Sequence, residues 1–413
     1  MRVLLLSQHF WPESFRINDV AIALHAAGHE VVVLTGQPNY PGGTVFSGYR
    51  AGATGKEWHD GLEIHRVPLV PRGRGTALRL VANYLSFIAS AALLGAWQLR
   101  GRRFDVVFVY GTSPILQALA GVFLAWLKRC ALVIWVQDLW PQSLQATGYV
   151  RNPRLLAAVA GVVRWIYRRC DLLLVQSRGF EAPVRALAGT TPVVFHPNPA
   201  GSIPPAAAGE PAFTLPHGFN LVFAGNLGTA QALDSVLDAA ALLADLPDLR
   251  FVLVGSGQCS AWLAEQVRER GLNQVLLPGR FAPEAMPAIL AQASALLVTL
   301  AADPAMALTI PSKVQSYLAA QRPIVAALDG EAARVIAESG AGRVCRPADA
   351  QALANTVREL LAMPEAARAE MGRAGGRYHA SHFSMARLAP QLEAHLAAAV
   401  AGHRHRAATI PSS

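Results

Sequence analysis

The sequence predicts an α/β protein of two doubly wound domains, each a mostly parallel sheet covered by helices on both faces. Three observations lead there. Short apolar runs recur along the chain with helix-length segments between them, the pattern of strands buried on both sides. At 413 residues the chain exceeds what one core ordinarily organises, so two domains of about 200 residues are expected. Between His196 and Asn220 the composition shifts to HPNPAGSIPPAAAGEPAFTLPHGFN, where proline and glycine punctuate the chain and no apolar period survives.

Residues 3–6 form the first apolar run. A loop follows, then helical spacing over 20–27, Gly28 and His29, and a second run at 31–34: strand, helix, strand. Further strand candidates lie at 106–109, 132–136 and 172–175. Beyond the break the pattern restarts at 221–224, 251–254, 275–277, 295–299, 324–327 and 342–344. The expected organisation is an N-terminal domain over 1–197, a linker over 198–219, a second domain over 220–384, and a C-terminal helix and tail over 385–413 that crosses back to the first domain.

Hydrophobic residues make up 53% of the chain and charged residues 15%, which excludes disorder and leaves apolar surface available for lipid. The net charge of +9 belongs to the first half, where residues 1–200 carry 20 Lys/Arg against 10 Asp/Glu; residues 201–413 carry 16 against 17. Electrostatics alone lets a basic face serve nucleic acid, anionic lipid or a phosphorylated substrate. No zinc-type Cys/His spacing or RNA-binding aromatic motif is present, so nucleic acid is set aside. The four cysteines are far apart and suggest no disulfide framework or metal site, which fits a reducing compartment. MRVLLLSQHFWPE reads as a buried strand rather than a signal peptide.

The segment 77–99, ALRLVANYLSFIASAALLGAWQL, has its cleanest apolar stretch over 84–97. That is about 21 Å of helix against a hydrocarbon core of about 30 Å, too short to span. Arg72, Arg74 and Arg79 precede it and Arg100, Arg102 and Arg103 follow it, which suits a helix lying among anionic headgroups. The competing reading is a wholly buried core helix.

Candidate chemistry sits where strands end, because the carboxyl edge of an open α/β sheet faces the ligand crevice. After the first strand, SQHFWPESFRIND supplies Glu13, Arg16 and Asn18; Arg16 can pair with a phosphate, while capping and surface charge are the alternative. VIWVQDLWPQS supplies Gln137, Asp138 and Trp140. A carboxylate at Asp138 can accept a hydroxyl's hydrogen bond or proton, or cap the next turn, and Trp140 offers a sugar-stacking face or a wall. In the second half, the turn Gly225, Asn226, Leu227, Gly228 lets backbone N–H groups approach a diphosphate, as does LVGSGQ with Gly255 and Gly257. Neither has the GxGxxG spacing or a Walker lysine. In TIPSKVQSYLAAQRPIVA, Pro311, Ser312 and Lys313 open a helix. Ser312 can satisfy its free N–H groups and Lys313, one of three lysines in the chain, brings charge to the same end.

Taken together, HFWPE with RIND, GHEVVVLTGQPNYPGG, VQDLWPQSLQATG, FHPN, AGNLGTAQ, LVGSG, PSKVQSYLAAQRPI and LDGEAARVI resemble glycosyltransferase family four over residues 1 to about 400. More narrowly, they resemble bacterial enzymes that transfer 6-deoxy sugars such as fucose or N-acetylfucosamine in surface-polysaccharide synthesis. The resemblance implies a GT-B fold of two facing Rossmann-like domains, retention of anomeric configuration, a donor in the C-terminal domain, an acceptor in the N-terminal one, and no required metal or other cofactor. It puts Gly225, Asn226, Gly228, Lys313 and Ser316 near the nucleotide diphosphate and ribose, and Arg280 with Phe281 near the base. The sequence departs from the family at its paired glutamates, whose positions fall on Leu308 and Ser316, and at the Arg and Lys after the first C-terminal strand, where Asn226 and Gln231 stand. That shifts donor contacts onto Lys313, Arg16 and Glu331.

The expected catalytic groups are therefore Asp138, Lys313 and Arg16. Gly225, Asn226, Gly228, Gly255, Arg280, Phe281, Ser312, Ser316 and Glu331 are expected to bind the donor, and Glu13, Asn18, Gln137 and Trp140 the acceptor. Expected partners are a UDP- or GDP-sugar, a polyprenyl-diphosphate-linked saccharide and the cytoplasmic membrane surface, with the protein peripheral on its inner face. A sugar-nucleotide epimerase of the same architecture, or a non-catalytic membrane scaffold, are the rival readings.

Overall fold

The computed structural model describes residues 1–73, 75–146, 152–200 and 212–409. Arg74 and residues 201–211, half of the expected linker, lie outside the described residues. The chain divides into two compact units, Met1–Pro199 with Leu388–Ser413, and Ala200–Arg387.

The first unit is built on an eight-stranded sheet, in the order β3-β4-β2-β1-β5-β6-β7-β8. The strands are β1 (Arg2–Leu6), β2 (Glu30–Gly36), β3 (Gly55–His59), β4 (Leu62–Val67), β5 (Val106–Gly111), β6 (Ala131–Val136), β7 (Leu172–Val175) and β8 (Val193–Phe195). All neighbours are parallel except β3 against β4. The central strands are apolar throughout and wholly buried, as expected of a sheet covered on both faces.

β3, β4 and β8 escape the apolar-run reading. β4 has the sequence LEIHRV, yet every residue is buried, because its charges find partners. Glu63 meets Lys56, His65 and Arg102, and Arg66 meets Glu57 and the carbonyl of Gly36. Burial alone would push the Glu63 carboxyl up, but hydrogen bonds from Lys56, Arg102 and His65 hold it at about 2.

Helices α1 (Arg16–Ala26), α2 (Ala77–Gln98), α3 (Ala118–Lys128), α4 (Gln142–Ala146), α5 (Pro153–Tyr167) and α6 (Glu181–Ala188) connect these strands. α2 is longer than its cleanest apolar stretch: 22 residues, about 33 Å, with a π turn at Ala91–Gly95. It is the one helix among the described residues long and apolar enough to cross a membrane. One face, with Leu80, Asn83, Phe87 and Ala91, is buried. Gly95 brings the helix so close to the sheet that a Cβ there would lie 2.6 Å from Leu34. The opposite stripe, Leu78, Val81, Leu85, Leu93 and Trp97, is exposed.

The second unit holds a six-stranded, all-parallel sheet in the order β11-β10-β9-β12-β13-β14. These are β9 (Phe219–Asn226), β10 (Leu249–Ser256), β11 (Val275–Gly279), β12 (Ala295–Thr299), β13 (Ile324–Ala327) and β14 (Gly342–Cys345). Helices α7 (Leu233–Leu242), α8 (Ser260–Glu269), α9 (Met286–Ala291), α10 (Pro304–Ala307), α11 (Ser312–Ala319), α12 (Gly330–Ser339), α13 (Ala350–Ala362) and α14 (Glu365–His382) cover it. Two apolar clusters, one per sheet face, center on Phe223, Leu237 and Phe251 and on Val222, Val298 and Tyr317. The last helix, α15 (Met385–Thr409), takes up nearly all of the segment expected to be a C-terminal helix and tail. From Leu388 it belongs to the first unit, where Arg404 pairs with Asp105 and His403 with Asp171.

Candidate active site

In the second unit, β9 and β10 run in register so that Gly225 pairs with Gly255 and Asn226 with Ser256. Both strands end in glycines at φ +144°, a conformation that favours glycine. A Cβ on Gly255 would lie 1.8 Å from the Gly225 carbonyl oxygen, so the two strand ends can approach only without side chains. Beside them opens a cavity of about 440 Å³ lined by Gly225, Asn226, Gly255, Arg280 and Phe281. Five residues expected at the donor from scattered motifs thus share one pocket.

Lys313 reaches the same place from α11. Its Nζ comes within 3.4 Å of where a Gly225 Cβ would be and lies 3.7 Å from the center of the Phe223 ring. The Nζ is buried and has no hydrogen-bond partner among the described residues. Burial lowers its pKa to about 7. A buried ammonium without an acceptor is costly unless an anion completes the site. Its position is set one turn on by Tyr317, whose hydroxyl accepts from the Ala224 N–H at 2.7 Å and faces the Ala224 carbonyl at 3.3 Å. Residues i and i+4 share a helix face, so fixing Tyr317 at Ala224 delivers Lys313 to Gly225.

Other donor expectations change. The N-cap of α11 is Pro311, and Ser312 is its exposed first residue, so the first-turn N–H groups have no side-chain cap. The Gly228 N–H is already taken by the Gln231 side chain at 3.1 Å and is not free for a phosphate. Ser316 donates back to the Ser312 carbonyl at 3.2 Å, Glu331 pairs with Arg334 at 2.9 Å, and neither lines that cavity.

In the first unit, the loops after β1, β2, β5 and β6 each contain a cis Xaa-Pro bond, at Pro12, Pro41, Pro114 and Pro141. Glu13 does not open to a ligand. It is 2% exposed, and its carboxylate accepts from His9 Nδ1 at 3.0 Å and from the N–H groups of Asn39 and Tyr40 at 2.8 and 2.7 Å. An ionised carboxylate only accepts, so His9 donates from Nδ1 and turns its Nε2 away from Glu13. That Nε2 is buried and unpartnered, while the ring stacks on Phe15 and tilts against Tyr40. Asn18 staples the same loop, accepting from the Trp11 N–H and donating to the Glu13 carbonyl.

Asp138 follows β6. Burial raises its carboxyl pKa, only partly offset by the Ser113 backbone N–H. Arg16, at the start of α1, lies 3.7 Å from Asp19. The charges of Arg16 and Asp138 both act on the buried Tyr110 hydroxyl, which burial pushes well above its ordinary range. Trp140 is 5% exposed and donates to Ser113 at 3.1 Å, so it walls the site and offers no open stacking face. Gln137 is buried, accepts from Asn198 at 2.7 Å, and retains an unpartnered Nε2.

His9, Tyr110 and Tyr317 were not among the expected residues. For His9 the signal was present: a histidine leaving the first strand with a glutamate four positions on. Tyr317 reads as part of an apolar helix face, and only the structure exposes its hydroxyl bonds.

Residues 14–199 match the family described as glycosyl transferase 4-like domain, and residues 218–363 match glycosyl transferases group 1. The chain is 26% identical over 308 residues to a probable glycosyltransferase, WbjE, of Pseudomonas aeruginosa, covering 72% of this chain and 75% of that one. It is also 26% identical over 390 residues to a putative colanic acid biosynthesis glycosyl transferase, WcaI, of Escherichia coli (strain K12), covering 88% and 93%. Among solved structures, Anabaena HepE in complex with UDP aligns with a TM-score of 0.65 at 16% identity, covering 96% of this chain and all of that one, 100%. Sucrose-phosphate synthase from Thermosynechococcus elongatus aligns at 0.70 with 17% identity, covering 97% and 99%. These likenesses establish the fold. The chain therefore belongs to the group 1, family-four-like glycosyltransferases, with a glycosyl transferase 4-like domain ahead of a glycosyl transferases group 1 domain in a GT-B architecture.

Proposed function

We propose that the protein transfers a sugar, of 6-deoxyhexose or N-acetylfucosamine type, from a UDP- or GDP-sugar to a polyprenyl-diphosphate-linked saccharide during surface-polysaccharide assembly. The observation that carries the donor half is the unpartnered, buried Lys313 ammonium at the Gly225–Gly255 strand ends. A departing diphosphate is the anion such a site lacks, and a cation fixed where charge develops stabilises the transition state. The name of WcaI, which refers to colanic acid biosynthesis, and the UDP bound in HepE support the pathway and donor class.

Retention of configuration suits a front-face displacement in which the leaving diphosphate helps to take the acceptor proton. On the acceptor side, the Glu13-oriented His9 and the desolvated Asp138 are the groups able to hold or receive that proton. Glu13 acts through His9 rather than on the substrate. The donor site is proposed to work without a metal, Lys313 and backbone N–H groups neutralising the diphosphate; turnover that survives chelation by EDTA is the expected result.

The acceptor's lipid would be met at the inner face of the cytoplasmic membrane. Supporting this, α2 presents the stripe of Leu78, Val81, Leu85, Leu93 and Trp97 outward while its other face stays packed on the domain. A helix so docked suits lying in the interface rather than crossing it. Incubating the protein with a panel of UDP- and GDP-sugars and a lipid-linked acceptor should release nucleotide and extend the saccharide. Release of a rearranged nucleotide sugar without acceptor would replace this reading with an epimerase.

A further inference from the structure

Helices α2, α3 and α5 pack side by side and run opposite to the parallel strands they connect, so all three end at the amino edge of the sheet. Each ends in an exposed tryptophan followed by arginine. Trp97 is 60% exposed with the Arg100 guanidinium 4.3 Å from its ring center. Trp126 is 72% exposed and precedes Arg129, and Trp165 is 43% exposed with the Arg169 guanidinium at 3.7 Å. Between α3, α5 and the end of α15 lies an open cavity of about 970 Å³. Val122, Phe123, Trp126 and Trp165 line it together with Arg129, Arg168, Arg169 and Arg406, and Asp171, Thr190 and Thr191 also line it. Arg406 is paired with Asp171. Arg129 and Arg168 have no ion-pair partner among the described residues and are exposed.

We propose that this groove binds a membrane phospholipid with an anionic headgroup, the phosphate among Arg129, Arg168 and Arg169 and an acyl chain along Val122, Phe123 and Trp126. The inference extends the peripheral-membrane reading and rests on it. A groove whose apolar side chains lie beside a run of arginines suits an acyl chain joined to an anionic headgroup, whereas a free phosphate needs no apolar wall. Tryptophan favours the headgroup boundary, and arginine is attracted to anionic lipid there. The groove opens at the amino ends of β6 and β7, whereas His9 and Asp138 follow the carboxyl ends of β1 and β6. It is therefore a site apart from the acceptor residues. The more ordinary role for Arg129, Arg168 and Arg169 is to complement helix C-termini, which would leave lipid binding independent of them.

The test uses the full chain with vesicles of phosphatidylcholine, alone or mixed with phosphatidylglycerol, and with acyl chains carrying bromine to quench nearby tryptophan. The expected result is tighter binding to phosphatidylglycerol vesicles, unaffected by excess inorganic phosphate, and quenching that falls in Trp126→Phe/Trp165→Phe to the share contributed by Trp97 on α2. Arg129→Ala/Arg168→Ala should weaken binding roughly thirtyfold, from about fivefold per arginine near an anionic surface. These substitutions alter exposed groups only; should the tryptophan pair fail to fold, the arginine pair still decides. Leu85→Ser/Trp97→Ser on α2 provides the separation. If that pair abolishes vesicle binding while the groove variants change neither affinity nor quenching, the groove proposal falls and the membrane reading stands. If the unaltered protein binds no vesicle, both fall. Displacement by inorganic phosphate would overturn the lipid assignment.

Discussion

Replacing Lys313 by methionine should strengthen the free protein and nearly abolish donor binding. The ammonium is held at a pKa of about 7 by burial, against an ordinary value near 10.5. The unfolded chain therefore binds more protons than the folded one between about pH 7 and 10.5. Stability rises with pH across that window and is lost again as pH falls toward 7. At pH 6 the folded protein carries the full cost of the buried charge, several kcal/mol at about 1.4 kcal/mol per pKa unit, and Lys313→Met removes it. The same substitution takes away the diphosphate's buried cationic partner, a loss of about 3 kcal/mol or more than a hundredfold in affinity. Binding of UDP or GDP should also take up a proton above pH 7, because the anion restores the charged form. The dissociation constant should then rise about tenfold per pH unit above 7 in the unaltered protein and stay flat in the variant. Calorimetric titration with UDP and GDP from pH 6 to 9, with thermal melts at each pH, reads both effects. A less stable variant that binds nucleotide normally would refute the assignment of Lys313 to the diphosphate.

Further tests bear on the two half-sites. His9→Gln should lower kcat by about 10²- to 10³-fold with nucleotide affinity unchanged, whereas Glu13→Gln should retain more activity and shift the pH profile, since it acts only through the imidazole; steady-state kinetics against pH compares them. Tyr317→Phe leaves the Ala224 N–H without its partner and should cost about 1–3 kcal/mol in denaturant unfolding. It should also weaken nucleotide binding by loosening Lys313. Gly255→Ala drives a Cβ into the Gly225 carbonyl at 1.8 Å and should destabilise by several kcal/mol, while Gly228→Ala meets the movable ends of the Asn226 and Gln231 side chains and should be far milder; paired melting curves check this.

The strands were legible where burial and apolarity coincide, as in β5, β6 and β12. They were not where buried strands carry charge: LEIHRV in β4 lies fully inside because Arg66 and Glu63 are paired within the fold, a compensation no local pattern reveals. The components of the candidate donor pocket were readable as glycine turns at strand ends plus a lysine at a helix start. What the sequence could not show is that Lys313 is buried and unpartnered, since that depends on Tyr317 meeting Ala224 across 93 positions. On the acceptor side, Glu13 and Asn18 looked available because loops usually are. Here the loop is buried: its own backbone groups take up Asn18, and the Asn39 and Tyr40 N–H groups of the loop after β2 take up Glu13.

The central claim, that a nucleotide diphosphate sits at the Gly225–Gly255 strand ends against Lys313, is tested most directly by a crystal structure of the protein with UDP or GDP. The account predicts diphosphate oxygens within hydrogen-bond reach, about 3 Å, of Lys313 Nζ and the base beside Arg280 and Phe281. A nucleotide bound elsewhere, with Lys313 still lacking an anionic partner, would contradict it.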